Sequence, residues 1–233
     1  MSDGIDSSIP LSLTRDIADA PTDRPVVLLL RHSARDPLPD GEVGNDVPIT
    51  VSGKHCAEEL GRKLGARIRS LHSSPVPRCI QTANALREGA SVELDIVVSR
   101  LLGDPGVYVL DGDLAWANWE KLGHEAVMRH IVSESDPLPG MAPSDEAARL
   151  LLSHMLTSAG DGSGLHLFIT HDSVITATVS RLQGIPHGPS DWPCFLEGAL
   201  FWRTEKGVLV VYREAVFLIR LTDTESQQQM RQT

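Results

Sequence analysis

Apolar residues change their spacing from one segment of the chain to the next, and the changes mark out elements. Residues 26–30, Val-Val-Leu-Leu-Leu, form an unbroken apolar run between Pro25 and Arg31. A short run without polar alternation predicts a strand buried on both faces, the habit of parallel sheets. A stretch rich in Pro, Asp and Gly follows over 36–50. Then Ala57, Leu60, Leu64 and Ile68 recur at spacings of three and four, which predicts a helix over 52–68 with one apolar face. Residues 70–74 read as a short strand. Pro75-Val76-Pro77 opens another helix, with proline in the first turn where its missing N–H costs little, and Ile80, Ala83 and Leu86 face inward.

The pattern continues, more loosely, to the C-terminal end. Residues 92–98 predict a third strand, 103–112 a loop, and 114–132 one helix with Trp119, Leu122, Ala126 and Trp116 on its inner side. Pro143-Ser144-Asp145-Glu146 has the chemistry of a helix start for a segment reaching Leu156. Residues 165–170 predict a buried strand, followed at once by a helix that stops at Gly184. Residues 199–203 and 208–213 predict a hairpin, with 216–221 one strand more. Strands alternating with helices predict a three-layer α/β/α domain around a mostly parallel central sheet. The domain is expected over 25–222 with an insert at about 102–143, a loose polar leader over 1–24 and a frayed tail over 223–233.

Composition narrows the function classes. The 233 residues are 41% hydrophobic and 22% charged, and 31 acidic against 21 basic side chains give a formal charge of -10. That balance argues against nucleic acid or an anionic membrane as partner, since both need basic surface. The longest apolar runs are five residues, far short of the ~20 of a spanning helix. The first 24 residues have neither a basic start nor an apolar stretch, so no signal peptide is expected. Cys56, Cys79 and Cys194 are odd in number and widely spaced, which fits reduced thiols in a cytoplasmic protein.

Ligands of α/β sheets bind beyond the carboxyl ends of the strands, so the residues that follow each strand carry the candidate chemistry. They are Arg31, His32, Ser33 and Arg35 after the first strand, Arg78 after the second, and His171 and Asp172 after the strand over 165–170. Three guanidiniums on one rim of an acidic protein call for an anion, and their forks match phosphate oxygens. Beside them an imidazole nitrogen can attack phosphorus, splitting one hard displacement into two easier ones. An aspartate at the helix start can protonate the leaving oxygen and then activate water.

Arg31-His32 after an apolar strand, the stretch Ser-Ser-Pro-x-x-Arg-Cys-x-Gln-Thr-Ala around Arg78, and Thr170-His171-Asp172 resemble the histidine phosphatase superfamily, over about 26–184. The Arg-His-x-x-Arg-x-Pro form and the His-Asp pair resemble its acid phosphatase branch. The length and the Ser-Pro-x-x-Arg helix resemble its compact, phosphoglycerate mutase-like branch. The resemblance implies a phosphoglycerate mutase-like fold, His32 as phospho-accepting nucleophile, and Arg31, Arg35, Arg78 and His171 as the phosphate pocket. It makes Asp172 the proton donor, as in the His-Asp branch; the compact branch takes its acid from the loop after the third strand, where Asp104 lies. Ser33 stands where the family has Gly. No metal or cofactor is implied, and the chain has neither a His-Glu-x-x-His motif nor paired cysteines.

The expected activity is therefore metal-independent phosphomonoester hydrolysis through phosphohistidine, on a phosphorylated small molecule, with phosphopeptides fitting the same chemistry. A mutase and a phosphate-binding module without turnover are the rival readings. The acidic or neutral segments 36–46 and 103–113 lean toward hydrolysis, because a mutase needs basic residues for a second anionic group. Ser33, Asp104, Tyr108, His187 and Trp192 are candidates for the substrate mouth. Cys79 is read as buried packing, and His55, His72, His124, His130, His154 and His166 as surface or helix residues.

Overall fold

The computed structural model describes residues 8–38 and 44–220. Its seven-stranded sheet has the order β3-β2-β4-β1-β5-β6-β7. Strands β1 (Pro25–Arg31), β2 (Ile68–Ser73), β3 (Ile96–Val98) and β4 (Gly164–Thr170) run parallel to their neighbours among themselves. β5 (Gly198–Thr204) lies antiparallel on β1, and β6 (Gly207–Tyr212) and β7 (Ala215–Ile219) continue that half as hairpins. The core of the sheet is thus mostly parallel, as the strand–helix alternation predicts.

Both faces are covered. Successive side chains of β1 point to opposite faces, and every residue from Val26 to Leu30 is fully buried. On one face Val26, Leu28, Leu30, Leu167 and Ile169 pack with α1 (Leu11–Asp19), α2 (Val51–Leu64) and α3 (Pro77–Ala90). On the other, Val27, Leu29, Phe168 and Phe201 pack with α5 (His124–Ser133), α6 (Ser144–Ala159) and α7 (Asp172–Gln183). Among the described residues no helix is long and apolar enough to cross a membrane.

Two elements differ from the sequence reading. The segment expected to be a loose leader contains α1, a helix that buries Leu13 and Ile17 and whose Asp16 accepts a hydrogen bond from the Glu214 N–H. Two apolar residues one turn apart are too little periodicity to stand out in a polar segment, and tertiary contacts supply the rest. The single helix expected over 114–132 is two, α4 (Gly112–Leu122) and α5, broken at Gly123 with φ 77° and ψ 162°. The break turns α4 so that Ala115 and Asn118 are buried, while Trp116 and Leu122 are exposed. Residues 1–7, 39–43 and 221–233, which hold part of the expected leader, part of the acidic 36–46 segment, the end of the strand expected over 216–221 and the tail, lie outside the described residues.

Candidate active site

Three neighbouring parallel strands deliver the candidate residues to one rim. β4 lies between β2 and β1, so His171 at its end sits between Arg78, at the start of α3, and Arg31 and His32, at the end of β1. The His32 N–H donates to the Thr170 carbonyl at 2.9 Å and the Ser74 N–H to the Ile169 carbonyl at 2.9 Å, which ties the three strand ends together.

His32 is buried, and both ring nitrogens are committed. Nδ1 lies 2.8 Å from the Ser33 carbonyl oxygen. Arg78 Nε donates to Nε2 at 3.2 Å. A guanidinium has only donors, so Nε2 carries the lone pair and Nδ1 the proton that Ser33 accepts. Arg78 also donates through Nη2 to His171 Nδ1 at 3.4 Å and through Nη1 to the Gly44 carbonyl at 2.9 Å. The other ring nitrogen of His171, Nε2, lies 3.2 Å from Ser74 Oγ, and the His32 and His171 ring centroids are 5.5 Å apart.

Arg31 is held on three sides. Its Nη2 lies 2.6 Å from Asp172 Oδ2, its Nη1 donates to the Pro193 carbonyl at 2.6 Å, and its guanidinium lies 4.1 Å over the Phe195 ring. Asp172 Oδ1 accepts the Ser173 N–H at 2.8 Å at the start of α7. The Nε groups of Arg31 and Arg35 are buried without a hydrogen-bond partner. Arg31 with Asp172 and Arg78 with His171 thus flank the His32 ring, whose Nε2 lone pair accepts from Arg78.

A family model described as histidine phosphatase superfamily (branch 1) matches residues 27–195, most of the chain. The chain belongs to the histidine phosphatase superfamily. Solved structures of the superfamily fold are similar throughout. A mutant phosphoserine phosphatase from Entamoeba histolytica, in complex with phosphoserine, has 14% identity and a TM-score of 0.54, over 80% of this chain and 95% of that one. A mycobacterial glucosyl-3-phosphoglycerate phosphatase complexed with VO3 has 19% identity and a TM-score of 0.51, over 76% and 92%. A phosphoglycerate mutase from Bacillus anthracis has 17% identity and a TM-score of 0.52, over 86% and 94%. The fold is thus phosphoglycerate mutase-like. A comparison with curated proteins finds no match. Membership of this superfamily supports a phosphatase or phosphoryl-transfer activity.

The electrostatics of this site keep both pocket imidazoles neutral. Burial, then the His171 ring, hold His32 well below the ordinary histidine value; the charges of Arg31 and Arg78 add to this and the Ser33 carbonyl opposes it. Burial, then Arg78, push His171 down to about 3 against the attraction of Asp172. Burial pushes the Cys79 thiol up to about 12, so it stays a thiol. Burial, then the charges of Arg78 and Arg31, lower the pKa of Arg35.

The mouth residues read from sequence divide. Tyr108 is in the core, its hydroxyl 2.8 Å from Thr178 Oγ1, because the insert folds back under α7. His187 bonds Gln183 and stacks edge-on against Tyr212, and none of its partners is a pocket residue. Ser33 is buried rather than at the mouth: its Oγ donates to the Gly53 carbonyl at 2.7 Å and its N–H to Thr82 Oγ1 at 3.0 Å. Trp192 lies edge-on to His124 and precedes Pro193, the acceptor for Arg31. Asp104 is exposed and follows Gly103, which packs so tightly that an added Cβ would sit 2.7 Å from His171 Nε2. The sequence reading gave no role to Phe195, Ser74 or the carbonyls of Pro193 and Gly44. Ser74 lies inside the recognised Ser-Ser-Pro stretch and could have been found there; backbone acceptors leave no residue-type signal.

Proposed function

We propose that this protein is a phosphomonoester hydrolase that works through a phosphohistidine on His32 and needs no metal. The observation that carries the reading is the His32 ring: neutral, with its Nδ1 proton held by Ser33, it turns the Nε2 lone pair toward Arg78 in a recess of guanidiniums. An oxyanion there would satisfy the buried Nε donors of Arg31 and Arg35, and the three guanidiniums supply the charge that a metal brings elsewhere.

In the first step Nε2 attacks phosphorus, the bond from phosphorus to the leaving oxygen breaks, and that oxygen takes a proton from Asp172. In the second, water attacks the phosphohistidine, the N–P bond breaks, and the water proton passes to the Asp172 carboxylate. Asp172 is paired with Arg31 at 2.6 Å; a substrate phosphate that takes the Arg31 fork frees the carboxylate, which takes up the proton of the monoanionic phosphate ester and passes it to the leaving oxygen. The branch 1 match favours a second reading of this one role, with Asp104 as donor, since the compact branch draws its acid from that loop. The acidic and neutral residues over 103–113 support hydrolysis over mutase chemistry, and the substrate we propose is a small phosphorylated metabolite.

Steady-state hydrolysis of p-nitrophenyl phosphate in EDTA tests the activity. Turnover that survives the chelator, with acid-labile phosphate trapped on the protein, is the expected result. Binding of phosphate without turnover would leave a phosphate-binding module instead.

A further inference from the structure

The Arg31 contacts come from a loop, and that loop is gripped from the far side of the molecule. Residues 191–197 present the Pro193 carbonyl and the Phe195 ring to the Arg31 side chain, and the Glu197 carbonyl accepts the Arg31 N–H at 2.8 Å. Behind them stands Arg213, in the turn between β6 and β7. Its Nε and Nη2 donate to the two Glu197 carboxylate oxygens at 2.8 and 2.9 Å. The same guanidinium donates to the Asp191 carbonyl at 3.0 Å and the Trp192 carbonyl at 2.9 Å. The Glu197 carboxylate also accepts the Cys194 N–H at 2.7 Å and the Ser12 hydroxyl at 3.4 Å. One fork thus fixes both ends of the loop.

The backbone at this turn is strained for the purpose. Arg213 and Glu214 stand at φ 53° and 63°, left-handed positions that a two-residue hairpin normally gives to Asn and Gly. Arg213 is therefore the wrong residue for the turn and the right one for Glu197. The carboxylate is 6% exposed as a side chain, so the pair is shielded from water on the acid's side. Burial pushes Glu197 up, but the bonds from Arg213 and the Cys194 N–H outweigh it and leave the acid below its ordinary value.

We propose that Arg213, through its ion pair with Glu197, is a positioning residue for phosphate binding: it holds the 191–197 loop so that Pro193 and Phe195 aim the Arg31 guanidinium into the recess. The inference rests on the reading of Arg31 as a phosphate ligand.

The test uses Arg213→Asn, which suits the turn and removes the fork, alone and combined with Glu197→Gln, which avoids stranding a buried charge. Arg213→Lys keeps the charge without the bidentate geometry. Hydrogen–deuterium exchange reads the loop, and orthovanadate binding and the kcat and KM for p-nitrophenyl phosphate read the pocket. The expected result is faster exchange over 191–197 and at Arg31, with vanadate Kd and KM raised about tenfold, the factor carried by one charge-assisted hydrogen bond. The Lys variant should fall between. Unchanged exchange over 191–197 in the folded Asn variants would overturn the clamp. Faster exchange with vanadate affinity within about twofold of wild type would leave a merely structural pair. Should wild type neither bind vanadate nor turn over, the phosphatase reading fails, and protection at Arg31 alone then decides whether the clamp holds that residue.

Discussion

The two halves of the sheet both contribute to the buried core and differ in what they offer at their ends. In the parallel half, helical crossovers return each strand in the same direction, so the ends of β1, β2 and β4 converge and bring His32, Ser74 and His171 together. The starts of α3 and α7 lie on the same rim and place Arg78 and Asp172 there. In the antiparallel half, strand ends alternate between rims, and the hydrogen bonds and ring contacts described for His32 and Arg78 come from elsewhere than β5, β6 and β7. Their part is mechanical, through the Arg213 grip on the loop behind Arg31. Direction of the strands, more than depth of burial, separates the half that carries chemistry from the half that supports it.

The sharpest way to break this comparison is to delete the proposed nucleophile. His32→Ala should cost at least about 10⁴-fold in kcat while the protein stays folded, with some loss of melting temperature because the ring is buried and bonded through both nitrogens. Near-normal hydrolysis by this variant would remove the parallel rim from the chemistry. Next in size comes the proton donor. Asp172→Asn should lose ~10²–10⁴-fold on an alkyl phosphate and far less on p-nitrophenyl phosphate, whose anion leaves without help. The same selective loss in Asp104→Asn instead would move the acid to the loop after β3.

Anion binding sharpens the contrast further. Phosphate or vanadate should raise the melting temperature of wild type by binding only the folded state, and Arg78→Ala should abolish most of that rise. The opposite pattern is expected for Phe201→Ala in the antiparallel half, fully buried against β1: a stability loss of about 3–5 kcal/mol in denaturant titration, with KM unchanged. A change in KM there would show that the two halves are not separable.

The remaining effect is with pH. His171 is held down to about 3 and His72 to about 4, chiefly by burial. Unfolding lets both titrate near their ordinary value, so the unfolded state binds more protons below that value. The stability they contribute is complete above about pH 6.5 and is lost as pH falls toward 4 and then 3. Melting temperatures across pH 7 to 4 should decline accordingly; a flat profile would mean that these imidazoles are solvated.

Much of the parallel half was legible in the sequence, because strands buried on both faces are unbroken apolar runs and the charged residues follow them directly. Arg31, His32, Arg78, His171 and Asp172 could be collected by position alone. The antiparallel half gave up its strands but not its role, since the tie from Arg31 to Pro193 spans 162 positions and ends on a carbonyl. Tyr108 misled for a physical reason: a tyrosine in a Gly- and Asp-rich segment resembles an exposed loop residue, yet Thr178 offers its hydroxyl a buried partner. Gly123 hid the break between α4 and α5, because an isolated glycine within a helical pattern is commonly tolerated.

The Ser33 carbonyl has a regiochemical consequence. By occupying the Nδ1 proton of His32 it leaves one nitrogen as a site for phosphorus, and in the proposed mechanism the adduct would be the τ isomer of phosphohistidine, not the π isomer. The two isomers differ in hydrolytic lifetime and are told apart by isomer-selective antibodies and by phosphorus NMR. A backbone oxygen, indifferent to which side chain its own residue carries, would thereby fix the chemical identity of the proposed intermediate. Replacement of the family glycine by Ser33 leaves that control intact, because the serine hydroxyl turns away to Gly53 and the carbonyl stays on the ring.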